Sequence, residues 1–214
     1  MSYAPDQAAG GPARRQRSGG LARHGARALG SAVLVLSVTA VMWVLETVDY
    51  VANGWFDRFG IDPWNVNDLP DIFTAPFMHA GFGHLIANTV PFLILGFIAA
   101  TRGIAKFLVA SLIVIVVGGL GVWFTSSANT LGSSILIFGF FGYLLGRGLF
   151  ERRLVDVAIA VGVVAVYGTM LLGVLPSDPA ISWQGHLFGL IGGVLGAWAL
   201  RRRRPEKAAI ADVP

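Results

Sequence analysis

Six apolar stretches separated by short polar segments dominate this chain, and they constrain its fold more than any other feature. The first runs from about Leu29 to Val51, and the others lie near 80–101, 104–125, 134–149, 155–175 and 184–200. A helix needs about 20 apolar residues to cross a hydrocarbon core roughly 30 Å thick. Inside lipid each backbone N–H and C=O must be bonded within the protein, so such stretches are expected to form helices. The chain is 55% hydrophobic and 13% charged, whereas soluble domains carry about 25% charged residues. The expected fold is an all-α, polytopic membrane protein of six spans. We place a disordered basic N-terminal tail at 1–28, a single membrane domain at 29–201 and a basic tail at 202–214, with no internal repeat. The basic tail and first apolar run resemble a secretory signal, but signal cores are shorter, about 7–15 residues.

The basic residues predict the orientation. With the N-terminal tail, the 2–3 loop, the 4–5 loop (Arg147, Arg152 and Arg153) and the C-terminal tail in the cytoplasm, 15 of the 16 Lys and Arg residues fall on that side, and only Arg58 lies outside. Charge bias of this kind sets topology, so both termini are expected to be cytoplasmic. Charges that flank apolar segments are a membrane pattern, and no nucleic-acid partner is expected. Arg201–Arg204 are expected to anchor the last helix on anionic headgroups. The chain has no cysteine, which removes thiolate metal sites and a cysteine nucleophile. The expected location is the cell membrane, multi-pass and bacterial. The sequence carries no signal for oligomeric state.

Polar residues inside apolar spans are costly and mark function by default. The second span opens FMHAGFGHLIANTVP, with His79, His84 and Asn88; the fourth opens LGSSILIFGFFGYLLG, with Gly132, Ser133 and Ser134; the sixth opens WQGHLFGLIGGVLGAW, with His186. Counting from the basic residues at the cytoplasmic ends at about 1.5 Å per residue puts Ser134, His186 and Asn88 roughly 20–22 Å up, and His84 one turn higher. These residues, from three helices, reach a similar depth in the outer half of the membrane. The fourth span is short, so its helix is expected to begin inside the membrane at Ser134. The irregular stretch before it must then be buried in protein or line a wet cavity. Residues 53–75, rich in Trp, Phe, Asp and Pro, are expected to lie in the membrane interface.

A serine hydroxyl needs a base, and His186 can supply one. Acyl transfer also needs donors for the oxyanion; the Ser134 amide at a helix N-terminus and the side chains of His84 and Asn88, four apart on one face, are candidates. Phe138 shares the Ser134 face and can pack on His186. Gly189 and Gly193 form a small-xxx-small pattern that permits close helix approach.

HxxxN in the second span, GxS opening the fourth and HxxGxxxG in the sixth resemble the rhomboid intramembrane serine proteases, in the family's order and over about residues 30–200. The resemblance implies a six-transmembrane-helix rhomboid-like bundle and an endopeptidase that cleaves transmembrane segments of other proteins through a Ser-His dyad, without metal or cofactor. It implies Ser134 as nucleophile, His186 as general base, and His84, Asn88 and the Ser134 amide as oxyanion hole. Gly132 would shape the loop before the serine, Phe138 would stack on the histidine, and His79 would give structural support. Two features depart from the family pattern. Ile135 stands where a glycine usually follows the serine and is expected to crowd the helix contact, and the first outer loop lacks a Trp-Arg pair. The alternatives are a catalytically inactive rhomboid-like protein that binds membrane clients, and a small transporter.

Overall fold

The computed structural model describes residues 12–178 and 181–202. Its helices are α1 (Pro12–Val51), α2 (Phe82–Thr101), α3 (Ile104–Thr125), α4 (Ser134–Glu151), α5 (Leu154–Tyr167) and α6 (Trp183–Ala199). Short 3-10 segments cover Trp55–Phe59, Val66–Phe73 and Ala75–Phe77 in the first loop, and Gly168–Val174 continues α5. Among the described residues the only β pairing is an isolated bridge between Ile61 and Thr130.

Helix α1 begins earlier than the sequence reading expects: residues 12–28, read as tail, are helical. Pro12 suits the first helical position. The Ala, Leu and Arg residues that follow are good helix formers, and they extend a helix whose nucleation cost is already met. The remaining tail residues, 1–11 and 203–214, lie outside the described residues. Among the described residues five segments are long and apolar enough to cross a membrane: Arg23–Val51, Phe82–Thr101, Ile104–Thr125, Ser134–Glu151 and Leu154–Val174. The expected sixth span is α6, which is shorter, at 17 residues. Hydroxyls within the spans donate back to the carbonyl four residues earlier, as at Thr39, Thr89 and Ser111, which satisfies them without water.

Helix α4 is the centre of the bundle. It is apolar on every side, the pattern of a buried helix, and side chains from Ile135 to Leu144 are all buried. Helix α6 packs most extensively on it, and α3 packs in turn on α6. The approach of α6 is set by glycines: a Cβ at Gly189 would come 2.4 Å from the Ile135 carbonyl oxygen, and one at Gly193 would come 1.9 Å from that of Gly139. Helix α5, by contrast, leaves most of its apolar surface uncovered.

At the opposite end from Ser134, α4 and α5 are joined by charge. The Asp156 carboxylate, buried on α5, accepts from Arg102 Nη2 at 2.5 Å and from Arg147 Nε and Nη2 at 3.2 Å. Arg147, read from the sequence as a loop charge, lies within α4 and is 7% exposed. Removing one partner of such a buried set strands the others, so the set ties α5 to the core at this end.

Candidate active site

The backbone that enters α4 is held from two sides. Ile61 N–H donates to the Thr130 carbonyl at 2.8 Å, and Thr130 N–H returns the bond to Ile61 at 3.1 Å. Gly132 N–H donates to the Ala75 carbonyl at 2.9 Å. Trp123 Nε1 donates to the Asn65 carbonyl at 3.0 Å, which fastens the first loop to the end of α3. The irregular stretch before Ser134 is thereby satisfied by protein, as its position requires. Gly132 takes a φ of 125°, and a Cβ there would sit 2.6 Å from the His84 ring. Both the backbone angle and the ring demand glycine.

The two adjacent serines part company at this turn. Ser133 is 1% exposed, its Oγ lies 3.1 Å from His79 Nε2, and its N–H donates to the same nitrogen at 3.4 Å. That nitrogen is therefore an acceptor, and His79, itself buried, pins the residue before α4. Ser134 is the first residue of α4 and faces a cavity of about 1030 Å³ that His84, Asn88 and His186 also line. First-turn amides of a helix have no intrahelical partner, so N–H donors are available beside the hydroxyl.

His186 sits in the first turn of α6, stacked on Phe138 with ring centroids 4.0 Å apart and 9° between planes. Phe138 is one turn beyond Ser134, so this stacking seats the imidazole along the face of α4 that carries the serine. His186 Nδ1 lies 2.9 Å from the Gly173 carbonyl oxygen. A carbonyl can only accept, so Nδ1 carries the proton, and in the neutral ring Nε2 is left with its lone pair. A Cβ at Gly173 would fall 2.9 Å from Nδ1, so glycine is needed for that carbonyl to come so close. Among the described residues Ser134 and His186 share the cavity without a direct hydrogen bond, and catalytic hydrogen bonds are often long before substrate binds.

Asn88 is 8% exposed, and its Nδ2 is buried without a hydrogen-bond partner. Buried amide donors are nearly always paired. This one lies beside a cavity, and an oxygen arriving there would satisfy it. Among the described residues no cluster of His, Asp or Glu could hold a metal ion.

Ile135 does not crowd the helix contact as expected. It is 1% exposed, and room for it comes from glycines on both neighbouring helices. A Cβ at Gly118 of α3 would come 2.5 Å from Ile135 Cγ2, and one at Gly185 of α6 would come 3.1 Å from Cγ1. The small residue has moved from α4 to its partners. The Gly173 carbonyl, the His79–Ser133 contact and the Gly118–Ile135 fit are the parts of the site that sequence reasoning missed. The first two are long-range contacts with no local motif, while the glycine run at 118–121 was a visible but unassigned cue.

A family model described as the Rhomboid domain matches residues 66–203. Uncharacterized proteins of Mycobacterium tuberculosis and Mycobacterium bovis are each 37% identical to this chain over 187 residues, covering 83% of it and 77% of their own length. One from Mycobacterium leprae is 37% identical over 196 residues, covering 85% and 78%. With its apolar helices and the domain match, this is a multi-pass membrane protein that belongs to the rhomboid family. Most members of that family are serine intramembrane proteases.

Proposed function

We propose that this protein is an intramembrane serine endopeptidase of the cell membrane that cleaves transmembrane segments of other proteins near their outer ends. In this reading α6 is a sixth span, both termini are cytoplasmic, and the organism is bacterial. Ser134 Oγ attacks the peptide carbonyl carbon while His186 Nε2 takes the hydroxyl proton. The imidazolium then gives that proton to the departing amine, leaving an acyl-serine that water hydrolyses by the reverse roles. The Asn88 amide, the His84 ring and the Ser134 N–H stabilise the oxyanion. The observation that carries the proposal is a single cavity holding a helix-terminal serine, a histidine whose free nitrogen is fixed by the Gly173 carbonyl, and an unpartnered buried amide.

The inactive, client-binding alternative draws on Ile135, and the room provided by Gly118 and Gly185 removes the packing reason for inactivity. A transporter needs polar groups beneath the cavity, but α4 continues below Ser134 with buried Ile, Leu and Phe side chains.

The test is cleavage of a fluorogenic transmembrane substrate in liposomes. Wild type is expected to cleave it, and Asn88→Ala to lower kcat by about 10²–10³, the usual effect of removing one oxyanion donor, with KM little changed. Equal kcat in the two proteins would remove Asn88 from the mechanism, and no cleavage by wild type would contradict the proposal.

A further inference from the structure

The residue after Ser134 meets the residue before His186. Ile135 follows the serine on α4, and Gly185 precedes the histidine on α6. A Cβ at Gly185 would lie 3.1 Å from Ile135 Cγ1 and 3.6 Å from Cδ1, so the isoleucine rests against bare backbone. Gly189, four residues on, shares that face of α6. A Cβ there would lie 3.3 Å from Ile135 Cα. On the other side stands Gly118 of α3, whose added Cβ would come 2.5 Å from Cγ2. Ile135 is a knob in a notch of three glycines, two of them flanking His186 in sequence.

Other contacts orient the histidine ring but do not set its distance from the serine. Phe138 stacks on the ring and the Gly173 carbonyl meets Nδ1. The segment Gly168–Val174 that carries this carbonyl contains no buried residue, so it is a poor brace for α6. Gly193 rests on the Gly139 carbonyl, about two turns below Gly185, which leaves the first turn of α6 free to tilt. At the height of the serine, the filling between α3 and α6 is the Ile135 side chain. Packed interiors pass a change of volume on to their neighbours. Catalysis tolerates little of that, since a shift of about 1 Å can cost about 10²-fold in rate.

We propose that Ile135 is a positioning residue for His186: seated between Gly118, Gly185 and Gly189, its side chain sets the distance from the first turn of α6 to Ser134. Its effect on rate rests on the endopeptidase reading, whereas the spacing does not. Ile135 takes no part in the chemistry and acts only through the placement of His186.

The experiment has two arms, with folding confirmed by thermal unfolding. The first measures kcat and KM on the fluorogenic transmembrane substrate for Ile135→Val, Ile135→Ala and Phe140→Ala. Phe140 is as deeply buried on α4, at 1% exposed, and packs on Phe92 of α2 and Phe107 of α3. Ile135→Val is expected to lower kcat about threefold and Ile135→Ala about 10²-fold, with KM little changed. Phe140→Ala should leave kcat near that of the wild type. Unchanged kcat in Ile135→Ala, or an equal loss in Phe140→Ala, overturns the positioning role while cleavage still supports the protease. The second arm needs no activity. The chain has no cysteine, so Ser134→Cys with His186→Cys gives a unique thiol pair, closed by a short bifunctional thiol reagent. Adding Ile135→Ala is expected to slow closure about tenfold, as a loosened first turn requires, and adding Phe140→Ala to leave it unchanged. Equal closure rates with and without Ile135 overturn the proposal. Slower closure beside a wild type that cleaves nothing overturns the protease and leaves Ile135 setting the spacing of α4 and α6.

Discussion

Gly193→Ala is expected to cost the fold at least about 4 kcal/mol, a loss reserved for a few severe mechanisms. The added methyl would sit 1.9 Å from the Gly139 carbonyl oxygen and 2.8 Å from the Tyr143 amide nitrogen. Both are backbone atoms of a helix, so no rotamer change can relieve the contact. The helices must separate, and in lipid close packing is itself the force that holds them together. Gly162→Ala is the matched comparison, since a Cβ there meets nothing within 4 Å. It should raise stability slightly, by about 0.5–1 kcal/mol, because alanine loses less backbone entropy in a helix. Thermal unfolding of both variants in detergent checks the pair: similar midpoints would mean that α4 and α6 do not touch as described.

Ile135→Gly restores the residue usual for the family and is nonetheless expected to destabilise by about 3–6 kcal/mol. Deleting a buried isoleucine down to alanine costs about 2–5 kcal/mol, and glycine in a helix adds about 1. The Gly118 position makes the prediction sharper. Gly118→Ala alone places its Cβ 2.5 Å from Ile135 Cγ2 and should destabilise, but with Ile135 gone the next neighbour is Gly189 Cα at 3.6 Å, an ordinary contact. Added to Ile135→Gly, the same substitution should therefore recover stability. A change of sign between the two backgrounds is the mark of direct coupling. Additive effects in a double-mutant cycle of unfolding free energies would show that Gly118 does not house this side chain. If Ile135→Gly were more stable than wild type, the side chain would be strained in place.

The membrane class, the start of α4 at Ser134 and the meeting of polar residues from three helices around one cavity were legible because lipid punishes exceptions. A polar residue in a span, or a span too short to cross, has few explanations. The stacking of Phe138 on His186 followed from helical spacing together with family resemblance. What orients His186 was not legible, because the Gly173 carbonyl belongs to a backbone with no side-chain motif to announce it. Ile135 read as an obstruction because spacing within α4 says nothing about which residues of α3 and α6 face it. Arg147 read as a loop charge because hydropathy cannot reveal that Asp156 and Arg102 meet it in the core. The helical stretch from Pro12 was missed because its basic composition outweighed good helix propensity next to an already formed helix.

The account's central claim is that Ser134 is an activated nucleophile and that His186 activates it. Labelling of the folded protein by a fluorescent fluorophosphonate in detergent tests this without knowledge of the substrate. Wild type should become covalently labelled, while Ser134→Ala and His186→Ala, with folding confirmed by thermal unfolding, should not. A wild type that stays unlabelled while folded, or a Ser134→Ala protein that labels as strongly, would contradict it.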